Sequence, residues 1–193
     1  MTEATPPARP VFSDIDSYGT SHMGHVRKEN QDCFFVGALA AREGRVVAVS
    51  SEEERRLPDE VPRLASLGVV ADGAGGVSDG AEAARVAVRD LTAAVVRLFD
   101  EGSFAGSDDP DAYARLLQQA ALACHENLLL RARDEGGGRQ FATTLTFFLG
   151  LWPQAYLLQV GDSRCYVFRE GALTQISRDQ TIAQDLIDRG VMS

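Results

Sequence analysis

The stretch VVADGAGGVSDGAEAARVAV, residues 69–88, joins an apolar run to a glycine-rich turn and then to the start of a helix. The continuous apolar residues at 67–71 are typical of a short buried strand. Asp79 and Glu82 have capping-box spacing, which predicts a helix beginning there. Its apolar positions recur every three or four residues, so one face is expected to be buried. These positions are Ala84, Val88, Leu91, Val95 and Leu98.

Asp72 lies between this strand and this helix. An Asp before a Gly is common turn material, and that is the simplest interpretation of the residue taken alone. A carboxylate at the end of a buried strand is nevertheless costly unless a cation lies beside it. Gly73, Gly75 and Gly76 carry no side chains, so the backbone could approach a ligand closely. Asp72 is therefore a candidate cation ligand.

Strand-like runs lie on both sides of two predicted long helices. The runs cover residues 11–18, 33–39, 45–49, 67–71, 141–150, 154–161, 164–170 and 172–176. The second helix is predicted to start near Asp109-Pro110, and a third to start near Ser177 and end at Gly190. Glu170-Gly171 is a predicted hairpin turn. Helices that follow strands as a pair, and not one after each strand, predict an α+β fold with antiparallel sheets.

The second helix carries its own apolar stripe and is followed by a glycine run. The stripe comprises Leu117, Ala121, Cys124 and Leu128, and the glycines are residues 136–138. Residues 50–66 carry many charges and two prolines, and we expect an exposed loop. Residues 1–10 are predicted to be a disordered lead-in to one domain over 11–193.

The composition limits the classes of partner. The chain has 193 residues and a net charge of −9, which opposes binding to nucleic acid or to anionic membranes. The beginning of the chain is polar and does not resemble a signal peptide. Three well-separated cysteines, Cys33, Cys124 and Cys165, are expected to be reduced, as in a cytoplasmic protein.

Two further carboxylates occur in the same context as Asp72. Asp162 follows the apolar run YLLQVG, and Asp32 directly precedes CFFV. Acidic groups repeated at strand ends suit Mg²⁺ or Mn²⁺, which prefer oxygen ligands and retain several waters. Arg27 would suit an anionic substrate, because guanidinium pairs bidentately with phosphate oxygens. Together these residues indicate hydrolysis of a phosphate ester by a metal-activated water.

Four segments in order resemble the metal-dependent PP2C-type (PPM) protein serine/threonine phosphatases in their bacterial form. They are GHVRKENQDCFFV, VVADGAGG, FATTLTFFL and VGDSRCYVFREGALTQISRDQT. The resemblance implies a β-sandwich of two antiparallel sheets flanked by helix pairs. It also implies hydrolysis of phosphoserine and phosphothreonine in phosphorylated proteins, which would be substrates of a serine/threonine kinase.

The resemblance assigns roles to five residues. Asp72 would bridge two metals, and the carbonyl of Gly73 would bind one of them. Asp162 would lie at a third metal position, and Asp32 would act on the metals through water. Arg27 would hold the substrate phosphate. The implied cofactors are two or three Mg²⁺ or Mn²⁺ ions.

The sequence departs from the family pattern at several points. Gln31 replaces a frequent Glu, Ala74 replaces a His found in some relatives, and Ala142 replaces a Gly. The family's later strands, which carry further aspartate ligands, are expected to be missing after Ser193. Two alternatives therefore stay open beside the phosphatase: a catalytically defective phosphatase-like module that binds a partner or phosphopeptide, and an unrelated acidic interaction domain.

Overall fold

The computed structural model describes residues 8–74, 79–103, 110–134 and 141–190. The strands are β1 Asp32–Arg42, β2 Arg45–Ser50, β3 Arg63–Ala74, β4 Ala142–Thr143, β5 Leu145–Leu151, β6 Gln154–Val160, β7 Tyr166–Arg169 and β8 Ala172–Gln175. The helices are α1 Ser51–Glu54, α2 Asp79–Asp100, α3 Pro110–Asp134 and α4 Ile182–Asp188. This confirms the predicted α+β class.

The main sheet is antiparallel and has six strands in the order β2-β1-β3-β5-β6, with β4 paired to the end of β3. Strand β3 is central and alternates between buried and more exposed residues along its length. This period of two is that of a strand with one face against the core. The predicted strand at 67–71 is thus the middle of a longer one, in which Ser66 and Gly68 interrupt the apolar run on the open face.

Helix α2 covers one face of the sheet, and α3 packs against α2. The predicted stripe on α2 is confirmed: Ala84, Val88, Leu91 and Val95 are buried, and Leu98 is half-buried. On α3, Leu117, Cys124 and Leu128 are buried against the same core. Helix α3 starts at Pro110 as predicted, whereas Asp109 and the glycines at 136–138 lie outside the described residues.

Strands β7 and β8 form a separate two-stranded sheet. The predicted turn is confirmed, because Glu170 and Gly171 both have positive φ, at 51° and 81°, as a two-residue hairpin turn requires. Every residue of the two strands is exposed.

Polar contacts connect this hairpin and α4 to the end of β6. The backbone N–H of Gly161 donates to Gln180 Oε1 at 3.0 Å, and the N–H of Gln180 donates to the Gly161 carbonyl at 3.0 Å. Within the unit, Arg164 makes a bidentate ion pair with Asp179, from Nε to Oδ1 and from Nη2 to Oδ2. Hydrogen bonds, and not a buried core, therefore attach this unit to the sheet.

The third predicted helix begins later than expected. Thr181 is its N-cap and accepts a hydrogen bond from the N–H of Gln184. Ser177, the predicted start, instead accepts a hydrogen bond from the N–H of Cys165 at 2.8 Å. The predicted start was therefore at the wrong residue, because the amide of Cys165 competes for the Ser177 hydroxyl. Gly190 ends the helix with φ of 69°, as predicted.

The prediction of a strand at 11–18 is wrong. Residues Phe12–Asp14 form a 3₁₀ turn, in which Asp14 Oδ2 accepts a hydrogen bond from the N–H of Val11 at 2.9 Å. Local side-chain acceptors of this kind compete with strand pairing. Phe12 is buried although it lies outside the main sheet. Residues 1–7 of the predicted lead-in 1–10 lie outside the described residues.

The exposed loop predicted over 50–66 is also wrong at both of its ends. Ser50 and Glu53 form a capping box that starts α1, and β3 begins at Arg63. Glu54 and Arg63 are both buried and form an ion pair with Nη1 and Oε1 2.9 Å apart. The guanidinium also lies 5.2 Å from the centre of the Phe12 ring. Some of the charged residues in 50–66, which had suggested a solvated loop, are therefore paired inside the protein.

No helix among the described residues combines the length and the apolar character needed to span a bilayer.

We expect Glu54→Ala to lower the free energy of unfolding by about 3–5 kcal/mol, because it leaves the Arg63 charge buried without its partner. Urea denaturation would measure the loss. The matched control is Asp16→Ala, which removes an exposed ion pair with Arg55 and should cost less than about 1 kcal/mol. Equal losses for the two variants would contradict a special role for the buried pair.

Candidate metal centre

Asp32 and Asp72 lie directly opposite each other across the antiparallel pair β1–β3. Directly opposed residues of such a pair point to the same face of the sheet, with side chains in contact range. Like charges placed there repel each other and destabilise the pairing. The sheet therefore brings together two carboxyl groups that a bound cation would stabilise.

The Asp72 carboxyl interacts electrostatically with three of the other predicted site residues. Desolvation raises the pKa of the Asp72 carboxyl, and charge repulsion and a side-chain hydrogen bond with Asp32 raise it further. The Asp162 carboxylate adds to the increase in pKa, while Arg27 opposes it. Asp32, Asp162 and Arg27 therefore all act on the Asp72 carboxyl.

Strand direction explains how these positions meet. Strand β1 starts at Asp32, β3 approaches its end at Asp72, β5 starts at Leu145, and β6 ends at Val160. In an antiparallel sheet, the start of one strand and the end of its neighbour lie at the same edge. Asp162 follows β6 through Gly161, whose φ of 100° turns the chain, and so lies at this edge too.

Arg27 lies on the segment that leads into β1, and its side chain is exposed. Asn30 holds the end of that segment: its Oδ1 accepts a hydrogen bond from the N–H of Asp32 at 3.1 Å, and its Nδ2 donates to Ser21 Oγ at 2.7 Å. The amide of Asn30 thus links two points of the segment on either side of Arg27.

Gly73 is required by close packing. A Cβ at this position would lie 2.1 Å from the carbonyl oxygen of Gly80 in α2 and 2.8 Å from that of Gln31. The N–H of Gly73 donates to the Gln31 carbonyl at 3.2 Å. The absence of a side chain allows the first turn of α2 to approach the end of β3, while metal binding by the Gly73 carbonyl stays a prediction. Gly75 and Gly76 lie outside the described residues.

Sequence reasoning missed the hydroxyl groups around Asp72. Thr143 Oγ1 donates to the Asp72 carbonyl at 3.1 Å, and Thr144 Oγ1 accepts from the Asp72 N–H at 3.0 Å. Ser163 Oγ lies 2.8 Å from Thr144 Oγ1. Two adjacent threonines in a strand-like run were visible in the sequence, but their partner is 72 residues away.

The donor chemistry fits a hard divalent cation. Among the described residues, no three or more His, Cys, Asp or Glu side chains are arranged to hold one ion together. The paired carboxyl groups of Asp32 and Asp72 instead offer oxygen donors without a thiol or imidazole. That set suits Mg²⁺ or Mn²⁺, which are commonly bound through one or two carboxylates and several waters.

Comparison with known proteins identifies the family. The family model for protein phosphatase 2C matches residues 59–184. The chain belongs to the protein phosphatase 2C family. The serine/threonine protein phosphatase PstP of Mycobacterium tuberculosis is 33% identical over 153 residues, which are 78% of this chain and 26% of that protein.

Solved structures agree on the fold. The crystal structure of M. tuberculosis PstP has a TM-score of 0.63 and 28% identity, covering 90% of this chain and 58% of that one. The catalytic domain of PstP in complex with two manganese ions has a TM-score of 0.62 and 28% identity, covering 90% of this chain and 60% of that one. The chain thus spans about a quarter of its curated relative and under two thirds of these structures.

We expect Gly73→Ala to cost about 1–3 kcal/mol of unfolding free energy, because the new methyl group would overlap backbone atoms. Gly68→Ala on the same strand is the control, since its Cβ would lie 3.7 Å from Phe148 Cβ, an ordinary contact. Urea denaturation of both variants would test this, and equal stability of the two would contradict the packing role of Gly73.

Proposed function

We propose that the chain takes part in metal-dependent hydrolysis of phosphoserine and phosphothreonine in proteins. The observation that carries this proposal is the pairing of Asp32 and Asp72 across β1–β3, with Asp162 and Arg27 acting on the same carboxyl group. Family membership supports the class of reaction.

In this proposal Asp72 and the carbonyl of Gly73 hold the cation directly, and Asp32 acts through water. Asp162 contributes charge at the same edge of the sheet. A divalent cation such as Mn²⁺ or Mg²⁺ lowers the pKa of a water molecule and neutralises charge on phosphate oxygens. Arg27 binds and orients the phosphate of the substrate, because its guanidinium can pair with two oxygens at once.

The proposed substrates are phosphorylated proteins, produced by a serine/threonine kinase. Because Arg27 is exposed, the phosphate site can accept a group presented on another protein. All three cysteines are free, which supports the expected cytoplasmic location.

A second candidate function is phosphopeptide or partner binding without turnover. It is favoured by one observation, that the described residues contain no group of three or more metal-ligating side chains arranged around one position. The two functions differ in a single assay. Release of inorganic phosphate from a phosphothreonine peptide, dependent on Mn²⁺ and abolished by EDTA, supports hydrolysis, whereas peptide binding without phosphate release supports the binding module.

We expect Asp72→Asn to weaken Mn²⁺ binding more than about tenfold, because the change removes a charged ligand and leaves a neutral amide. Calorimetric titration with Mn²⁺ would measure the change. Asp16→Asn removes the same charge from an exposed side chain that makes a 3.6 Å ion pair with Arg55, and should leave Mn²⁺ binding unchanged. Unchanged affinity in Asp72→Asn would remove this residue from the site.

We expect Arg27→Ala to raise the KM for a phosphopeptide roughly tenfold, since it removes a charge-assisted interaction of about 1.5 kcal/mol with the phosphate. Mn²⁺ affinity should change little. Lys28→Ala is the matched control: it removes the neighbouring positive charge and should leave the KM unchanged. A KM that stays constant while Mn²⁺ binding is lost would assign Arg27 a structural role instead.

A further inference from the structure

The regular backbone hydrogen bonding between β3 and its neighbours is interrupted at Asp72. On one side Val70 is paired with Thr146 of β5, and on the other Gly73 is paired with Thr143 of β4. Between these pairs, the N–H of Thr144 donates to the Asp72 carbonyl at 2.9 Å. The Asp72 N–H donates not to a backbone carbonyl but to the Thr144 hydroxyl, at 3.0 Å.

The Thr144 hydroxyl has a second partner. Its Oγ1 lies 2.8 Å from Oγ of Ser163, the residue after Asp162. The backbone of Ser163 is also fixed. Its carbonyl accepts hydrogen bonds from Thr146 Oγ1 at 3.3 Å and from Gln159 Nε2 at 3.0 Å. The contact therefore joins the amide of Asp72 to a fixed point on the Asp162 turn.

A hydroxyl is suited to this connection. It has one donor and two acceptor positions, so Thr144 Oγ1 can accept from the Asp72 N–H and still share a hydrogen with Ser163. A backbone carbonyl could accept from the amide but has no hydrogen to give. The rest of the Thr144 side chain packs at Gly161, where a Cβ would lie 2.8 Å from Thr144 Cγ2.

We propose that Thr144 and Ser163 are positioning residues that hold the Asp72 end of β3 and the Asp162 turn after β6 in one arrangement. Both hydroxyl-bearing side chains are half-buried, which limits competition from water. The arrangement aligns the two carboxylates before any cation binds. Its consequence for Mn²⁺ affinity rests on the proposed function, whereas the coupling between the two segments does not.

The coupling is measured first in the metal-free protein, by NMR hydrogen exchange of backbone amides. Ser163→Ala should increase the exchange rate of the Asp72 amide more than about tenfold, although the two residues belong to different strand ends. Thr144→Val keeps the shape of the side chain and should have the same effect, while Thr144→Ser keeps the hydroxyl and should restore protection. Thr174→Val on the exposed strand β8 is the control.

The second measurement is calorimetric titration with Mn²⁺. Thr144→Val and Ser163→Ala should each weaken binding about tenfold, as is typical when a group that orients a ligand is lost, and the double variant should be no weaker than the worse single variant. Additive losses would contradict a shared connection.

The two measurements test separate claims. If the unchanged chain binds no Mn²⁺, the proposed metal site is wrong, and the amide exchange rates alone then decide the positioning role. Unaltered Asp72 exchange in Ser163→Ala would overturn the inference, whatever the affinity for Mn²⁺, because Thr144→Val removes the acceptor of the Asp72 amide directly.

Discussion

The structure depends on one unfavourable pairing, the carboxyl groups of Asp32 and Asp72 placed opposite each other in the β1–β3 ladder. Elsewhere in the ladder, apolar side chains from these strands face α2 and stabilise the sheet. At this one point the same backbone geometry brings two acidic groups together, and desolvation followed by the neighbouring Asp32 raises the pKa of Asp72. Two carboxylates held this close repel each other, and a cation bound beside them would offset that repulsion.

The surrounding elements keep the pairing from relaxing. The first turn of α2 lies too close to Gly73 for that end of β3 to shift toward the helix. Hydrogen bonds from Thr143 and Thr144 hold the backbone of Asp72 on the other side. Packing and hydrogen bonding thus act on the backbone, and the carboxyl groups of Asp32 and Asp72 are left facing each other.

Periodic patterns were sufficient to predict most of the architecture. The three- and four-residue spacing on α2 identified its buried face, and Glu170-Gly171 identified the hairpin, because both signals are local. The acidic strand ends were also visible, but only the register of β1 against β3 shows that Asp32 faces Asp72. Glu54 could not be predicted to be buried, since its partner Arg63 is recognisable only when the chain has folded. The same limit applies to Ser163, whose hydroxyl reaches a different strand.

The segment from Gly161 to Gly190 is connected differently from the rest of the protein. None of its residues is buried. Hydrogen bonds attach it to the neighbouring strands: Ser163 contacts Thr144, Thr146 and Gln159, and Gln159 also bonds to Arg178 and Gln180. Regions that bury little apolar surface open at a lower free energy than the core. We therefore expect this segment to open locally at a lower free energy than the sheet. Because Asp162 lies within that segment, its distance from Asp72 depends on these few hydrogen bonds. The exposed Arg164–Asp179 ion pair, which orders the segment internally and which salt weakens, makes ionic strength a variable of the site.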